Sequence, residues 1–222
     1  GADAAAAIIT TDTHPKTATR ERDGWRIGGM AKGAGMLAPG LATMLVVITT
    51  DADLTSEQLD QALRAATRIS FDRLDSDGCM STNDQVTLLA SGASGVSPDV
   101  QLFTAALQDL CMDLAFQLQQ DAEGASHDIV IEVMSAATED DAVEVGRAIA
   151  RNNLFKAAVF GNDPNWGRVL ASIGTTQAAF DPADLDVAMN GVWVCRNSTP
   201  AADPATVDLK PRNVTVTIDL KS

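Results

Sequence analysis

Apolar residues return along this chain at two spacings, and the spacing changes from segment to segment. Between Ser56 and Ile69, Leu59, Leu63 and Ala66 share one side of a 3.6-residue repeat. Thr55 and Gln58 stand before it at capping-box spacing, so a helix is predicted there. A second helix is predicted from Pro98 to about Asp121: Leu102, Ala106, Leu110, Leu114 and Leu118 are four apart, and Pro98 suits a first turn. Thr138 with Asp141 opens a third, reaching about Ala150. Met44–Thr50, Ile129–Val133 and Val214–Leu220 are short and rich in β-branched residues, and they read as strands, as does the apolar run Lys156–Phe160. Asn190-Gly191 separates Asp186-Val187-Ala188 from Val192-Trp193-Val194, a strong hairpin signal. The polar stretch Asp72–Asp84 and the stretch Thr199–Ala205 read as loops.

Residues 1–40 are dense in small and turn-forming residues, among them Gly24, Gly28, Gly29, Gly33, Gly35, Pro39 and Gly40. They leave little room for regular elements and suggest a segment that wraps another part of the fold. No internal repeat and no low-complexity linker interrupts the alternation of strands and helices. That alternation predicts an α/β or layered α+β fold.

Composition narrows the function classes. Of the 222 residues 45% are apolar, enough for one ordinary core or two small ones. Thirty acidic against sixteen basic side chains give a formal charge of -14, with no basic block to break that field. A nucleic-acid backbone or an anionic membrane surface is repelled by such a chain. The most apolar run, Leu41–Ile48, is far short of the 18 or so residues a membrane helix needs. Gly1-Ala2-Asp3-Ala4 lacks the basic start of a signal peptide, and a first residue other than Met is expected of a piece of a longer gene product. Cys79, Cys111 and Cys195 are odd in number and far apart, which points to a reducing compartment, read as the cytoplasm.

Most familiar catalytic patterns fail. Gly33-Ala34-Gly35-Met36-Leu37-Ala38 fits a dinucleotide-binding pattern, but Pro39-Gly40 would break the helix it requires, and Gly28-Gly29 weakens a preceding strand. The glycines are better explained by close backbone approach or positive φ. Asp75, Asp77, Gly78 and Asp84 fit four positions of a calcium loop, but Arg73 occupies its first ligand position and Asp84 stands where a bidentate Glu belongs. His14 and His127 are the only histidines, too few for a zinc site or a conventional Ser/His/Asp triad. What remains is a nucleophile that needs no imidazole. Thr43, where a Gly/Pro-rich loop meets an apolar strand, is either an ordinary strand-opening residue or, if freed by cleavage after Ala42, a threonine whose own α-amine serves as its base.

Six stretches carry a further signal: Ile9-Thr10-Thr11-Asp12-Thr13-His14-Pro15-Lys16, Gly29-Met30-Ala31-Lys32-Gly33-Ala34-Gly35-Met36-Leu37-Ala38-Pro39, Leu41-Ala42-Thr43-Met44-Leu45, Ser81-Thr82-Asn83-Asp84, Asp121-Ala122-Glu123-Gly124 and Gly161-Asn162-Asp163-Pro164-Asn165-Trp166-Gly167-Arg168. Together, and in this order, they resemble the ornithine acetyltransferase (glutamate N-acetyltransferase) family of arginine biosynthesis. The resemblance implies a precursor that cuts itself between Ala42 and Thr43, so that residues 1–42 belong to an α chain and 43–222 to a β chain. Thr43 is then the nucleophile, taking acetyl from N-acetylornithine and passing it to glutamate in a ping-pong cycle. Some members also use acetyl-CoA to acetylate glutamate; no cofactor or metal is implied.

The resemblance places Thr10, Lys32, Thr43 and Glu123 in the substrate site. It also implies a layered fold of mixed sheets and helices related to the self-processing, DmpA-like aminopeptidases, and an assembly of two α and two β chains. In that family a Thr-Gly pair forming the oxyanion hole lies upstream of the matched stretch, and an Asn and a Ser or Thr completing the pocket lie downstream. The charges suit the substrates: Lys32 can meet an amino-acid carboxylate, Glu123 the ornithine side-chain ammonium, and Thr10 can hydrogen-bond the bound amino acid. The alternatives are an amidase or aminopeptidase of the related fold, in which water takes the acyl group, and a catalytically silent fragment that acts as a subunit.

Overall fold

The computed structural model of the chain describes residues 1–38 and 44–222. It forms two compact units, Gly1–Ala125 and Ser126–Ser222. Each combines a mixed sheet with helices, the layered α/β class predicted from the alternation of elements.

The first unit opens with a short helix, α1 (Ala2–Ile8), and continues into two strands, β1 (Lys16–Arg22) and β2 (Trp25–Lys32), that pair as a hairpin. This corrects the reading of residues 1–40 as poor in regular structure. Asp23 and Gly24 both take positive φ, +25° and +88°, which gives a two-residue turn whose twist suits two antiparallel strands. The glycines inside β2 mark close approach: a methyl group added at Gly29 would stand 2.9 Å from Leu114 Cδ1 and 3.0 Å from Leu110 Cδ2. A small-residue strand here is what lets a long helix lie down on the sheet.

That helix is α3 (Val100–Gln120), capped by Asp99, whose carboxylate accepts from the amides of Gln101 and Leu102. Its Ala106, Leu110, Leu114 and Leu118 are buried, as the four-residue spacing requires, whereas Leu102, expected on the same face, is exposed in the first turn; Phe103 meets Trp25 with ring centroids 5.4 Å apart. Helix α2 (Ser56–Ile69) packs against α3. It starts at the predicted capping box: Gln58 N donates to Thr55 Oγ1, and the Gln58 side chain accepts from Thr55 N. Two more strands complete the sheet, β3 (Leu45–Thr50) and β4 (Gln85–Ala90), in the order β1-β2-β3-β4. β1, β2 and β3 are antiparallel, and β3 and β4 are parallel. A strand therefore does precede Gly33, contrary to the expectation from Gly28-Gly29. No helix follows it over Gly33–Ala38, and the dinucleotide pattern stays excluded.

The second unit holds β5 (Asp128–Met134), α4 (Glu139–Ala150), α5 (Asn153–Phe160), α6 (Trp166–Ile173), β6 (Asp186–Met189), β7 (Val192–Arg196), β8 (Thr199–Pro200) and β9 (Asn213–Asp219). Its sheet runs β5-β9-β6-β7-β8, with β5 and β9 parallel and the other pairs antiparallel. Thr138 caps α4 through the Asp141 amide, and Asn190 and Gly191 form the hairpin turn with φ of +47° and +80°, both as read from sequence. Lys156–Phe160, expected as a strand, lies within α5 instead. Asn152 Oδ1 accepts from Phe155 N and caps the helix, and Phe155, Ala158 and Val159 are buried at helical spacing. A five-residue apolar run has no period of its own to distinguish the two, and the cap upstream decides it. Thr199–Pro200, expected within a loop, forms a two-residue strand against Cys195 and Arg196.

Candidate active site

Strands β1 and β2 place two lysines under cover at the same end of their hairpin. Lys16, the first residue of β1, is paired with Ala31, one residue before Lys32 at the end of β2. Lys16 is fully buried and its ammonium lies between two carboxylates, 2.7 Å from Asp12 Oδ1 and 2.6 Å from Asp121 Oδ2. An unpaired ammonium could not stay charged in such a place; two carboxylates with further hydrogen bonds make it tolerable. Asp12 Oδ1 also accepts from Gly33 N at 2.7 Å, and Asp121 accepts from the amide of Thr13 at 2.9 Å and from its hydroxyl. Burial works against charge on both acids. For Asp12 the Gly33 amide and Lys16 outweigh it, and for Asp121 Lys16 and Thr13 do, so both carboxyls lie below their ordinary range.

This buried triad joins the residues that sequence placed in the site. Asp12 binds the amide that follows Lys32. Lys32 is itself 6% exposed, and its Nζ donates to Thr10 Oγ1 at 3.1 Å. Asp121 ends α3 two residues before Glu123, whose amide donates to Ala34 O at 2.7 Å. Glu123 is exposed and its carboxylate lies over the same stretch: a methyl group added at Gly35 would stand 3.4 Å from Oε2. Thr10 and Lys32 are therefore in direct contact, and Glu123 is fastened to the segment Gly33–Gly35 that leads away from Lys32. Ala42 and Thr43 lie outside the described residues.

Just past Thr43, the Met44 amide donates to Asp84 Oδ1 at 2.7 Å. Burial pushes the Asp84 carboxyl up, and this hydrogen bond only partly offsets the shift. Lys16, Asp12, Asp121 and Asp84 sit within or beside the quoted motifs, yet sequence reasoning gave none of them a role. For Lys16 one signal was present: alternation along β1 puts it on the same face as buried Ala18. Among the described residues no cluster of three or more His, Cys, Asp or Glu could hold a metal ion, and no helix is long and apolar enough to cross a membrane.

Comparison with known proteins gives this arrangement a family. The profile of the ArgJ family matches residues 1–222. The chain belongs to the ArgJ family. Among its relatives, the arginine biosynthesis bifunctional protein ArgJ of Streptomyces coelicolor is 65% identical over 220 residues, covering 99% of this chain and 57% of that protein. The ArgJ of Thermobifida fusca is 63% identical over 222 residues, covering 100% of this chain and 58% of its own length. The chain thus spans a little over half of these ArgJ proteins. Among solved structures, ArgJ from Bacillus halodurans matches with a TM-score of 0.72 at 34% identity, over 80% of this chain and 87% of that one. The layered fold is therefore the ArgJ fold, as the motif resemblance implied.

Proposed function

We propose that this chain is the part of an arginine-biosynthetic acetyltransferase that carries its nucleophile and its amino-acid binding charges. The observation that carries the reading is that two opposite charges from distant parts of the chain meet one segment, Gly33–Ala38. Lys32, buried and bonded to Thr10, begins the Gly33–Ala38 segment, Glu123 is hydrogen-bonded to Ala34 within it, and the segment runs on toward Ala42-Thr43. A donor and an acceptor that are both α-amino acids need such a pair, a cation for the carboxylate and an anion for the ornithine side-chain ammonium.

Self-cleavage comes first. The Thr43 hydroxyl attacks the Ala42 carbonyl carbon, the C–N bond breaks, and the hydroxyl proton passes to the departing nitrogen. Water then hydrolyses the Ala42–Thr43 ester, leaving a carboxylate on Ala42 and a free α-amine on Thr43. In turnover that amine takes the hydroxyl proton as Thr43 attacks the acetyl carbonyl of N-acetylornithine. Ornithine leaves with the proton on its α-amine, and glutamate's α-amine attacks the acetyl-Thr43 ester to give N-acetylglutamate and regenerate the hydroxyl. Acetyl-CoA serves as a second acetyl donor to the same hydroxyl, and no cofactor takes part.

Cleavage does not separate the products. β2 precedes the junction and β3 follows it, and they pair over six residues from Ile27↔Thr50 to Lys32↔Leu45, so the α and β chains share a sheet within one unit. The assembly is α2β2, and the compartment is the cytoplasm.

The test is the intact mass of the full-length gene product before and after brief exposure to N-acetylornithine. Two chains splitting at Ala42–Thr43, with about 42 Da added to the chain that begins at Thr43, are expected for an acetyl ester. Thr43→Ala abolishes both events and Thr43→Ser retains part of each. Ornithine release indifferent to added glutamate would instead mark a hydrolase, and an uncut chain that gains no mass would refute the reading.

A further inference from the structure

We infer that the loop of residues 74–84, between α2 and β4, is a positioning device for the Ala42–Thr43 junction, acting through Asp77 on one side of it and Asp84 on the other; the inference rests on the self-cleavage reading above. The loop holds the chain on both sides of residues 39–43. Upstream, Met36 N donates to Asp77 Oδ2 at 2.8 Å, Ser76 N donates to Leu37 O at 2.8 Å, and Leu37 bridges Met80 in antiparallel fashion. Downstream, Met44 N donates to Asp84 Oδ1 at 2.7 Å and Gln85 N donates to Met44 O at 3.0 Å. The loop is braced internally: Asp75 Oδ1 accepts from Gly78 N and Asp77 Oδ1 from Cys79 N, both at 2.9 Å.

These contacts exceed what the sheet requires. The β3–β4 ladder already begins at Leu45↔Gln85, so the strands are in register without Asp84. Its carboxylate adds an acceptor one residue further, on the N–H of the peptide bond that joins Thr43 to Met44. That bond orients the peptide plane directly attached to the nucleophile. An intramolecular attack succeeds in proportion to how narrowly the reacting atoms are held, and fixing both flanks of a short segment removes conformations that cannot react. Asp84 acts on the junction through the Met44 amide. After cleavage the Asp84–Met44 bond still orients the first peptide of the new chain, and the Asp77–Met36 bond holds the segment that carries Lys32 toward its free end.

The experiment uses the full-length gene product with Asp84→Ala, Asp84→Asn and Asp77→Ala. The uncut fraction is followed in time by intact mass, kcat and KM for N-acetylornithine are measured on cut protein, and circular dichroism and thermal midpoints check the fold. Loss of a charged acceptor on an amide predicts cleavage about 10- to 100-fold slower in Asp84→Ala. Asp84→Asn keeps an acceptor oxygen and recovers to within about fivefold of the parent. Asp77→Ala, at an exposed position, slows cleavage about three- to tenfold. Cut Asp84→Ala loses kcat with KM unchanged, the split expected when positioning of the nucleophile rather than substrate binding is lost.

Asp84→Ala cutting at the parent rate, or equal losses in Asp84→Ala and Asp84→Asn, overturns the role of Asp84. If Asp84→Ala does not fold, Asp77→Ala decides, and cleavage at the parent rate there overturns the two-sided hold. A parent protein that stays uncut overturns the self-cleavage reading and this inference with it, whereas a parent that cuts beside unaffected variants overturns this inference alone.

Discussion

Lys16→Met is the most informative single change, because it removes the ammonium held between two buried acids. The ammonium stands 2.7 Å from Asp12 and 2.6 Å from Asp121, with its side chain fully buried. Removing one partner of a buried ion pair typically costs about 3–5 kcal/mol, because the charge left behind is neither solvated nor paired. Here two carboxylates are left behind, so about 4 kcal/mol at pH 7 is a fair expectation, a large share of the 5–15 kcal/mol that holds a typical domain together.

The sign of the pH dependence makes the test specific. In the parent both carboxyls lie below the ordinary 3.8, so their contribution is present above that value and is lost as pH falls through their folded pKa values. Without Lys16 both acids lose a partner that lowers their pKa values while burial still raises them, so the folded values move up and the variant's deficit grows as pH rises through them. Urea unfolding of parent and variant at pH 4.5 and pH 7 should show a deficit roughly half as large at the lower pH. Adding Asp12→Asn and Asp121→Asn to the variant should recover much of the loss at pH 7, since a neutral amide can still accept from Gly33 or Thr13. A loss below about 1 kcal/mol, or a deficit indifferent to pH, would refute the account of this triad as a mutually dependent buried network.

Three other expectations test different links. Burial opposes charge on Asp186, but Lys221, the Asn197 amide and Arg196 outweigh it and bring its carboxyl down to about 2. Its contribution, on the order of 2 kcal/mol, is therefore present above 3.8 and lost between there and about 2; acid titration of stability should be flatter over that window in Asp186→Asn. Gly29→Val places a branched side chain against the ends of Leu110 and Leu114, and thermal unfolding should show a loss of about 1–3 kcal/mol from overpacking. Thr55→Ala removes half of the α2 capping box and should cost about 1 kcal/mol in urea unfolding without altering turnover.

Local chemistry was legible wherever it was self-contained. The capping residues Thr55 and Thr138 and the Asn190-Gly191 turn act over two or three residues, and the leucine repeat of α3 needs only its own period. Each could be read without knowing what it packs against. The β1–β2 hairpin was not read, because Gly28 and Gly29 look like breaks until α3 is seen to rest on them. Lys156–Phe160 is apolar enough for either element, and only the Asn152 cap and the burial of one helical face made it a helix.

The site divides in the same way. The motifs, taken together, identified the family and singled out Thr10, Lys32 and Glu123, and the fold brings the first two into direct contact. What supports them was decided by tertiary structure. Lys16 and Asp121 are 105 positions apart, and nothing in either neighbourhood announces the other. A buried charge requires a partner but does not say where along the chain it will come from. Asp84, likewise, reads as a polar loop residue until β3 and β4 run parallel and bring it against Met44. Local sequence determined the elements and the groups able to do chemistry; the packing of α3 on a glycine-bearing strand, and the long-range pairing of charges in a medium that cannot solvate them singly, decided which of those groups are held together.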